Sequence, residues 1–146
     1  MQKRLATAND IPTLVALRKR QLMDEGESVP SDHYLVNYFT ASMTDGSLAV
    51  WVMEEQGEII ATGGVCFYAL PPTYRNPTGR TAYVTNMYTE NQYRRRGIAT
   101  ELLHAAIAEA KARGYGAVRL HASEDGKSIY RKAGFMNTDG YMAMMI

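Results

Sequence analysis

Asn91-Gln92-Tyr93-Arg94-Arg95-Arg96-Gly97-Ile98-Ala99-Thr100 is the stretch on which the fold turns. Three arginines stand directly before a predicted helix. The start of a helix leaves backbone N–H groups unpaired and carries partial positive charge, so cations sit poorly there unless an anion compensates. Gly97 has no side chain to block an approaching phosphate oxygen, and Ala99 is small. The arginines add formal charge and bidentate donors. A pyrophosphate-bearing ligand fits such an element. The other reading is an exposed arginine run with no ligand.

Working outward, Ile98, Leu102, Ala106 and Ala110 fall at i+4 steps, with Leu103 and Ile107 beside them. This pattern predicts a long helix over 97–113, ended by Gly114. Upstream, residues 81–90 are rich in Tyr, Val, Thr and Met, a strand composition. Residues 70–79 carry three prolines and read as a loop. Before it, 47–54 and 58–68 read as strands joined by a tight turn at Gln56-Gly57.

The N-terminal part predicts a short strand over 3–7. A helix follows, capped by Asn9 or Asp10, with Pro12 in its first turn and Ile11, Leu14, Val15, Leu17 and Leu22 as its apolar stripe. Residues 24–30 break it, and Tyr34, Leu35, Tyr38 and Phe39 mark a second amphipathic helix. Beyond the long helix come a strand over 117–122, a short helix over 126–133 and a terminal hairpin over 135–146, turning near Asp139-Gly140. Antiparallel runs mixed with crossover helices predict a mixed α/β sheet in one domain spanning 1–146.

Composition excludes some functions. Of the 146 residues, 46% are hydrophobic and 21% charged, with net charge +1. No global field draws the chain to nucleic acid or an anionic membrane, so neither is an expected partner. The N-terminus lacks the apolar stretch of a secretory signal, and the uncharged run 59–74 is shorter than the ~20 residues of a spanning helix. One cysteine, Cys66, permits no internal disulfide. The expected compartment is the cytoplasm. No Cys/His cluster has metal-ligand spacing, so no metal is expected.

Arg94-x-x-Gly97-x-Ala99 resembles the acyl-CoA pyrophosphate motif of the GNAT N-acetyltransferases, Q/R-x-x-G-x-G/A. Tyr83-Val84-Thr85-Asn86-Met87-Tyr88-Thr89 looks like that family's fourth strand. Ser128-Ile129-Tyr130-Arg131-Lys132-Ala133-Gly134-Phe135 is similar to its L-Y-x-K-x-G-F element. The match runs from Thr81 to Phe135, and the N-terminal half agrees in element order only. The sequence departs from the family at Arg95, a slot often held by Gly, at Glu124, where many members have Asn, and at Lys127.

The resemblance implies a mostly antiparallel mixed sheet of about seven strands flanked by four helices, with strands four and five splayed apart. It implies acetyl-CoA as donor and a small-molecule or peptide amine as acceptor, with direct transfer. Arg94, Arg95, Arg96, Gly97, Ile98, Ala99 and Thr100 would hold the phosphates. Met87, Tyr88 and Thr89 would lend backbone groups to the pantetheine arm; read from residues alone, they are a plain buried strand. Tyr130 would be the general acid; read alone, it is a core aromatic. The general base stays open between His121, Glu124 and ordered water. Members often dimerise, which makes a homodimer the expectation, and residues 70–79 would wall the acceptor site or join the dimer contact. A non-catalytic acyl-CoA sensor is the rival on the same fold.

Overall fold

Turn chemistry and alternating burial build the sheet from its middle outward. The computed structural model describes residues 1–138 and 140–146. Strands β2 (Leu48–Glu55) and β3 (Glu58–Ala69) are joined by Gln56 and Gly57, with φ of 51° and 79°. Two positive φ values in a two-residue loop match the right-handed twist of the flanking strands. Strand β1 (Gln2–Leu5) pairs with the outer side of β2, and β4 (Arg80–Thr89) pairs with β3, all antiparallel. Strand β5 (Ala117–Leu120) lies parallel to β4 and completes the order β1-β2-β3-β4-β5.

Neighbouring residues of β2 face opposite layers. Leu48, Val50 and Val52 pack with Ile11, Leu14, Val15 and Phe39 from α1 (Ile11–Asp24) and α2 (Asp32–Asp45). Ala49 instead joins Val65, Val84, Leu103 and Ala106 beneath α3 (Ile98–Ala112), where α4 (Lys127–Lys132) also packs. Helix α3 is the crossover that makes β4 and β5 parallel.

The ends of some elements differ from expectation. A 3-10 turn over Ala8–Asp10 leads into α1. Asp10 is the N-cap residue but makes no side-chain cap bond. Its carboxylate instead accepts from the Thr7 N–H at 2.7 Å and from Arg4 at 2.8 Å. The long helix begins at Ile98, with Gly97 as its cap. The loop over 70–79 closes through Leu70 N–H to Gly79 C=O, beside the Arg80 end of β4. Nine residues at ~3.3 Å each separate that end from Thr89. The loop therefore does not wall a site at the Thr89 end.

The sheet has five strands rather than about seven. The terminal hairpin is the difference: no strand forms over 135–138 or 140–146. Half of its expected turn, Asp139, lies outside the described residues. The composition of the segment suits a strand, but a strand also needs backbone pairing, and among the described residues this segment makes no ladder with the open outer edge of β5.

One irregularity matters for function. Thr62 pairs with Tyr88 and Gly64 with Thr85, so Gly63 faces two residues, Asn86 and Met87. This is a β-bulge, and Asn86 takes the left-handed φ of 53°. Gly63 is required by closeness. A Cβ there would lie 2.9 Å from Leu102 Cβ and 3.0 Å from Met87 Sδ. Leu102 is fully buried and cannot retreat. Gly63→Ala is expected to destabilise the fold by about 1–3 kcal/mol, the usual range for overpacking. Urea unfolding monitored by circular dichroism measures it, and an unchanged midpoint would show that α3 gives way freely.

Candidate active site

The bulge lies where β4 and β5 part. Their parallel ladder covers only Thr81–Val84 against Ala117–Leu120. Beyond Val84, β4 runs on to Thr89 with no strand on that side among the described residues. The Glu90 N–H donates to Ile60 C=O at 2.9 Å. By antiparallel alternation, the backbone groups of Tyr88 also face β3, whereas those of Met87 and Thr89 face the fork. Met87 and Thr89 thus turn their backbone groups toward the fork, where their carbonyls accept from Gln21 and Arg94, and Tyr88 turns its own toward β3.

Helix α1 borders the same opening. Gln21 donates from Nε2 to Met87 C=O at 3.3 Å, and the same amide reaches Glu25 Oε1 at 3.4 Å. Asp24 accepts from Arg94 at 3.2 Å, and Arg20 pairs with Glu90. The last two turns of α1 are thereby tied along the unpaired half of β4. Gln21 was not a sequence candidate; Glu25 stands with Asp24 and Glu27 in an acidic stretch that in sequence reads either as an attractor for a cationic acceptor or as a solvated loop. Their i,i+4 spacing is visible in the sequence, but nothing in it says that this pair faces β4.

At the Thr89 end, a 3-10 turn over Asn91–Tyr93 leads into the arginine run. Arg95 and Gly97 have φ of 62° and 79°. A left-handed residue at 95 explains why glycine suits that slot in similar chains. Turns of this kind converge successive N–H groups on an anion. The first bond of α3 runs from Glu101 N–H to Gly97 C=O at 3.0 Å, and no side chain caps the helix. The N–H groups of Ile98, Ala99 and Thr100 thus precede the helical ladder. A Cβ on Gly97 would meet nothing within 4 Å, so the space above it is open.

The three arginines are not equivalent. Arg94 donates from Nε to Thr89 C=O at 2.8 Å, pairs with Asp24, and lies 5.5 Å over the Tyr88 ring. Arg96 donates to Gln92 C=O and lies over Tyr93. These two shape the loop. Arg95 is exposed, and its guanidinium has no partner among the described residues. It is the cation left available to an anion.

Tyr130 stands on α4, half-buried, with its ring 6.0 Å from Phe135 in an edge-on contact. Gly126 leaves room for that ring: a Cβ there would lie 2.7 Å from Cε2. Burial pushes the phenol above the usual tyrosine range, and the charge of Glu25 adds to the rise. Of the candidate bases, Glu124 is held by Lys127 at 2.6 Å, a hydrogen bond that lowers its pKa and weakens it as a base. His121 is exposed just past the end of β5. No helix among the described residues is long and apolar enough to cross a membrane.

A forked sheet beside an open helix N-terminus offers an unpaired strand edge and unpaired N–H groups, the features an extended, phosphate-bearing ligand can use. The acetyltransferase (GNAT) family model matches residues 14–135, and the chain belongs to that family of acetyltransferases. It is similar over 99% of its length to a predicted acetyltransferase from Clostridium acetobutylicum, solved with acetyl-CoA, at 43% identity and a TM-score of 0.93, covering 95% of that chain. A GCN5-related N-acetyltransferase from Ralstonia eutropha is 26% identical, with a TM-score of 0.89 over 99% of this chain and 97% of that one. Glucosamine-6-phosphate N-acetyltransferase from Arabidopsis thaliana shares the fold at 19% identity and a TM-score of 0.75, over 99% and 97% of the two chains. No curated protein matches the chain.

Phenols that lose part of their contact with water set an alkaline limit. Burial raises Tyr38, Tyr88 and Tyr130, and also the Cys66 thiol. A group with a higher pKa folded than unfolded keeps its proton longer in the native state. The stability it contributes is complete below the unfolded value, about 8.5 for a thiol and about 10 for a phenol. It is lost as pH rises through the folded value. The urea midpoint is expected to fall between about pH 9 and 11 and to fall less in Tyr130→Phe. Equal losses in the two proteins would remove Tyr130 from the effect.

Proposed function

We propose that the chain transfers the acetyl group of acetyl-CoA directly to a primary amine of a small molecule or peptide, with Tyr130 as general acid. The observation that carries this reading is the fork, where β4 runs on past its ladder with β5 and the uncapped start of α3 follows its end, with Tyr130 half-buried on α4 among the residues packed beneath α3. The similar acetyltransferase from Clostridium acetobutylicum, crystallised with acetyl-CoA, supports the donor.

The residues fit that donor. Open space over Gly97, three unladdered N–H groups and the free Arg95 suit a pyrophosphate, with Arg94 and Arg96 holding the loop in shape. Ile98 contributes through its N–H alone, since its side chain is in the core. Met87 and Thr89 would pair with the pantetheine arm as an added strand does. Tyr88 contributes its ring beneath Arg94. Acetyl-CoA supplies a thioester open to a neutral amine, with a thiolate as leaving group. Tyr130 holds a proton for the departing sulfur, and burial, which keeps the phenol above its ordinary range, keeps that proton in place until the thiolate forms.

The acceptor enters between the end of α1 and β4, where Glu25 offers a carboxylate without a cation partner among the described residues. That charge favours a cationic amine. A lone thiol suits the cytoplasm, and the exposed apolar C-terminus suits a homodimer. A screen of amines and peptides, read by release of free CoA thiol, tests the reading. Tight acetyl-CoA binding with no turnover across the panel would instead identify a sensor.

Two substitutions separate binding from chemistry. Gly97→Glu places a side chain and a negative charge over the open start of α3. Affinity for acetyl-CoA is expected to fall at least about tenfold, ~1.4 kcal/mol, by calorimetry. Unchanged affinity in a folded variant would move the phosphates elsewhere.

Tyr130→Phe keeps the ring and its contact with Phe135 but removes the proton. Turnover is expected to drop by ~10²–10⁴-fold with acetyl-CoA affinity nearly intact. Full turnover would leave the transferase standing and take Tyr130 out of it.

A further inference from the structure

The end of α1 carries two opposite charges without ion-pair partners. Arg18, Gln21 and Glu25 fall at i, i+3 and i+7, on one face of the helix. Arg18 donates from Nη1 to Gln21 Oε1 at 3.0 Å. Gln21 Nε2 reaches Glu25 Oε1 at 3.4 Å and the Met87 C=O at 3.3 Å. A neutral amide thus stands between a guanidinium and a carboxylate, beside the bulge of β4. Neither charge meets an opposite one among the described residues. Two positions along the same helix, exposed Arg20 is paired with Glu90.

Arg18 is the less accessible of those two arginines. It lines a crevice with Leu14, Phe39, Val50, Thr62 and Asn86, all of them buried. A cation partly withdrawn from water over such a floor costs free energy unless it is paired. The single amide oxygen of Gln21 leaves most of its N–H donors unused. One hydrogen bond on either side of an amide ~2.3 Å wide puts Arg18 Nη1 and Glu25 Oε1 no more than about 9 Å apart. An α-amino acid holds its nitrogen and a carboxylate oxygen ~3 Å from each other. A charge-assisted hydrogen bond of ~2.8 Å at each end completes the span.

We infer that the acceptor is an α-amino acid, whose carboxylate pairs with Arg18 and whose ammonium is drawn to Glu25. The inference rests on the acetyl transfer proposed above and names its substrate class. A guanidinium meets a carboxylate through two parallel N–H bonds, which no neutral group on an amine reproduces. A polyamine would set a second cation against Arg18. A lysine side chain of a protein brings no carboxylate beside its amine. Either would leave Arg18 as it stands without a ligand. Held by its two ends, the amino acid lies beside Met87, on the half of β4 that β5 leaves unpaired.

The test compares acceptors that differ only at the carboxylate. Common L-amino acids are assayed with acetyl-CoA beside the carboxamide of each and the amine left by its decarboxylation, with free CoA thiol as readout. The best acid is expected to exceed both counterparts in kcat/KM by at least about tenfold, the worth of a hydrogen bond to a charged group. The carboxamide has the less basic amine and more of it free at neutral pH, so a preference for the acid runs against reactivity. Arg18→Gln is expected to raise KM for the acid at least about tenfold while leaving KM for the carboxamide nearly unchanged. Arg18→Lys is expected to restore part of the preference. A loss shared equally by acid and carboxamide shows that Arg18 only packs over the crevice and overturns the inference. Carboxamides as good as acids, or turnover confined to amines without a carboxylate, keep the transferase and overturn the inference. That comparison uses the wild type alone and holds even where the variants fail to fold. Tight acetyl-CoA binding with no turnover on any amine overturns both.

Discussion

The extra residue that β4 carries opposite Gly63 is the constraint on which the rest depends. A regular β4 would keep its outward backbone groups in register with β5 along its whole length, and the sheet would close. The bulge increases the local twist and re-aims the strand. Left-handed Asn86 makes the turn, its C=O is held by the Thr62 hydroxyl at 2.7 Å, and Gly63 lets Leu102 of α3 approach. Each part fixes another. Without the glycine α3 could not sit over the bulge, and without α3 the loop at its N-terminus would not lie at the end of the fork.

Electrostatics then divide the labour within the arginine run. Cations before a helix N-terminus oppose its dipole. The chain reduces that cost by giving Arg94 to Asp24 and the Thr89 carbonyl, and Arg96 to the Gln92 carbonyl. These contacts also fasten the end of α1 to β4, since Asp24 belongs to α1 and Arg20 of the same helix pairs with Glu90. Charge that looks in sequence like one binding patch is mostly scaffolding, with Arg95 left over. The ion pairs are largely exposed and individually weak, so their value lies in placing Gln21 and Glu25 at the opening rather than in stability.

How much of this was legible in the sequence follows from how local each signal is. The Gln56-Gly57 hairpin, the α3 stripe and the Gly97 helix start depend on residues within a few positions of one another, and each stands where it was read. The family resemblance pointed to Tyr130 and to the parting of β4 and β5, whose ladder stops at Val84. It did not show which backbone groups of β4 face outward, because that depends on the bulge register set by β3, more than twenty residues away. Gln21 was illegible as a residue of the fork, and Glu25 was one of three acidic residues with Asp24 and Glu27, since only the crossing of α1 over β4 sets Gln21 and its neighbour beside Met87. The terminal hairpin failed for a related reason: strand propensity reports what a segment can do, and pairing requires an edge that local sequence does not supply.

The position of Glu25 gives the proposed chemistry an internal logic. A phenol raised by burial is a weaker acid than one in water, which by itself opposes proton donation to sulfur. Part of that rise comes from the Glu25 charge. In the proposed reading, a cationic acceptor entering beside α1 would be drawn to that carboxylate and would offset its field at Tyr130. The phenol would then become a better donor when the acceptor arrives and would hold its proton while the site waits. The amine must itself lose a proton before it attacks, and a carboxylate at the mouth of the fork, in contact with water, gives that proton a route outward. In that reading Glu25 acts on both proton steps from beside Gln21, whose amide also reaches the carbonyl of Met87, one residue past the left-handed Asn86.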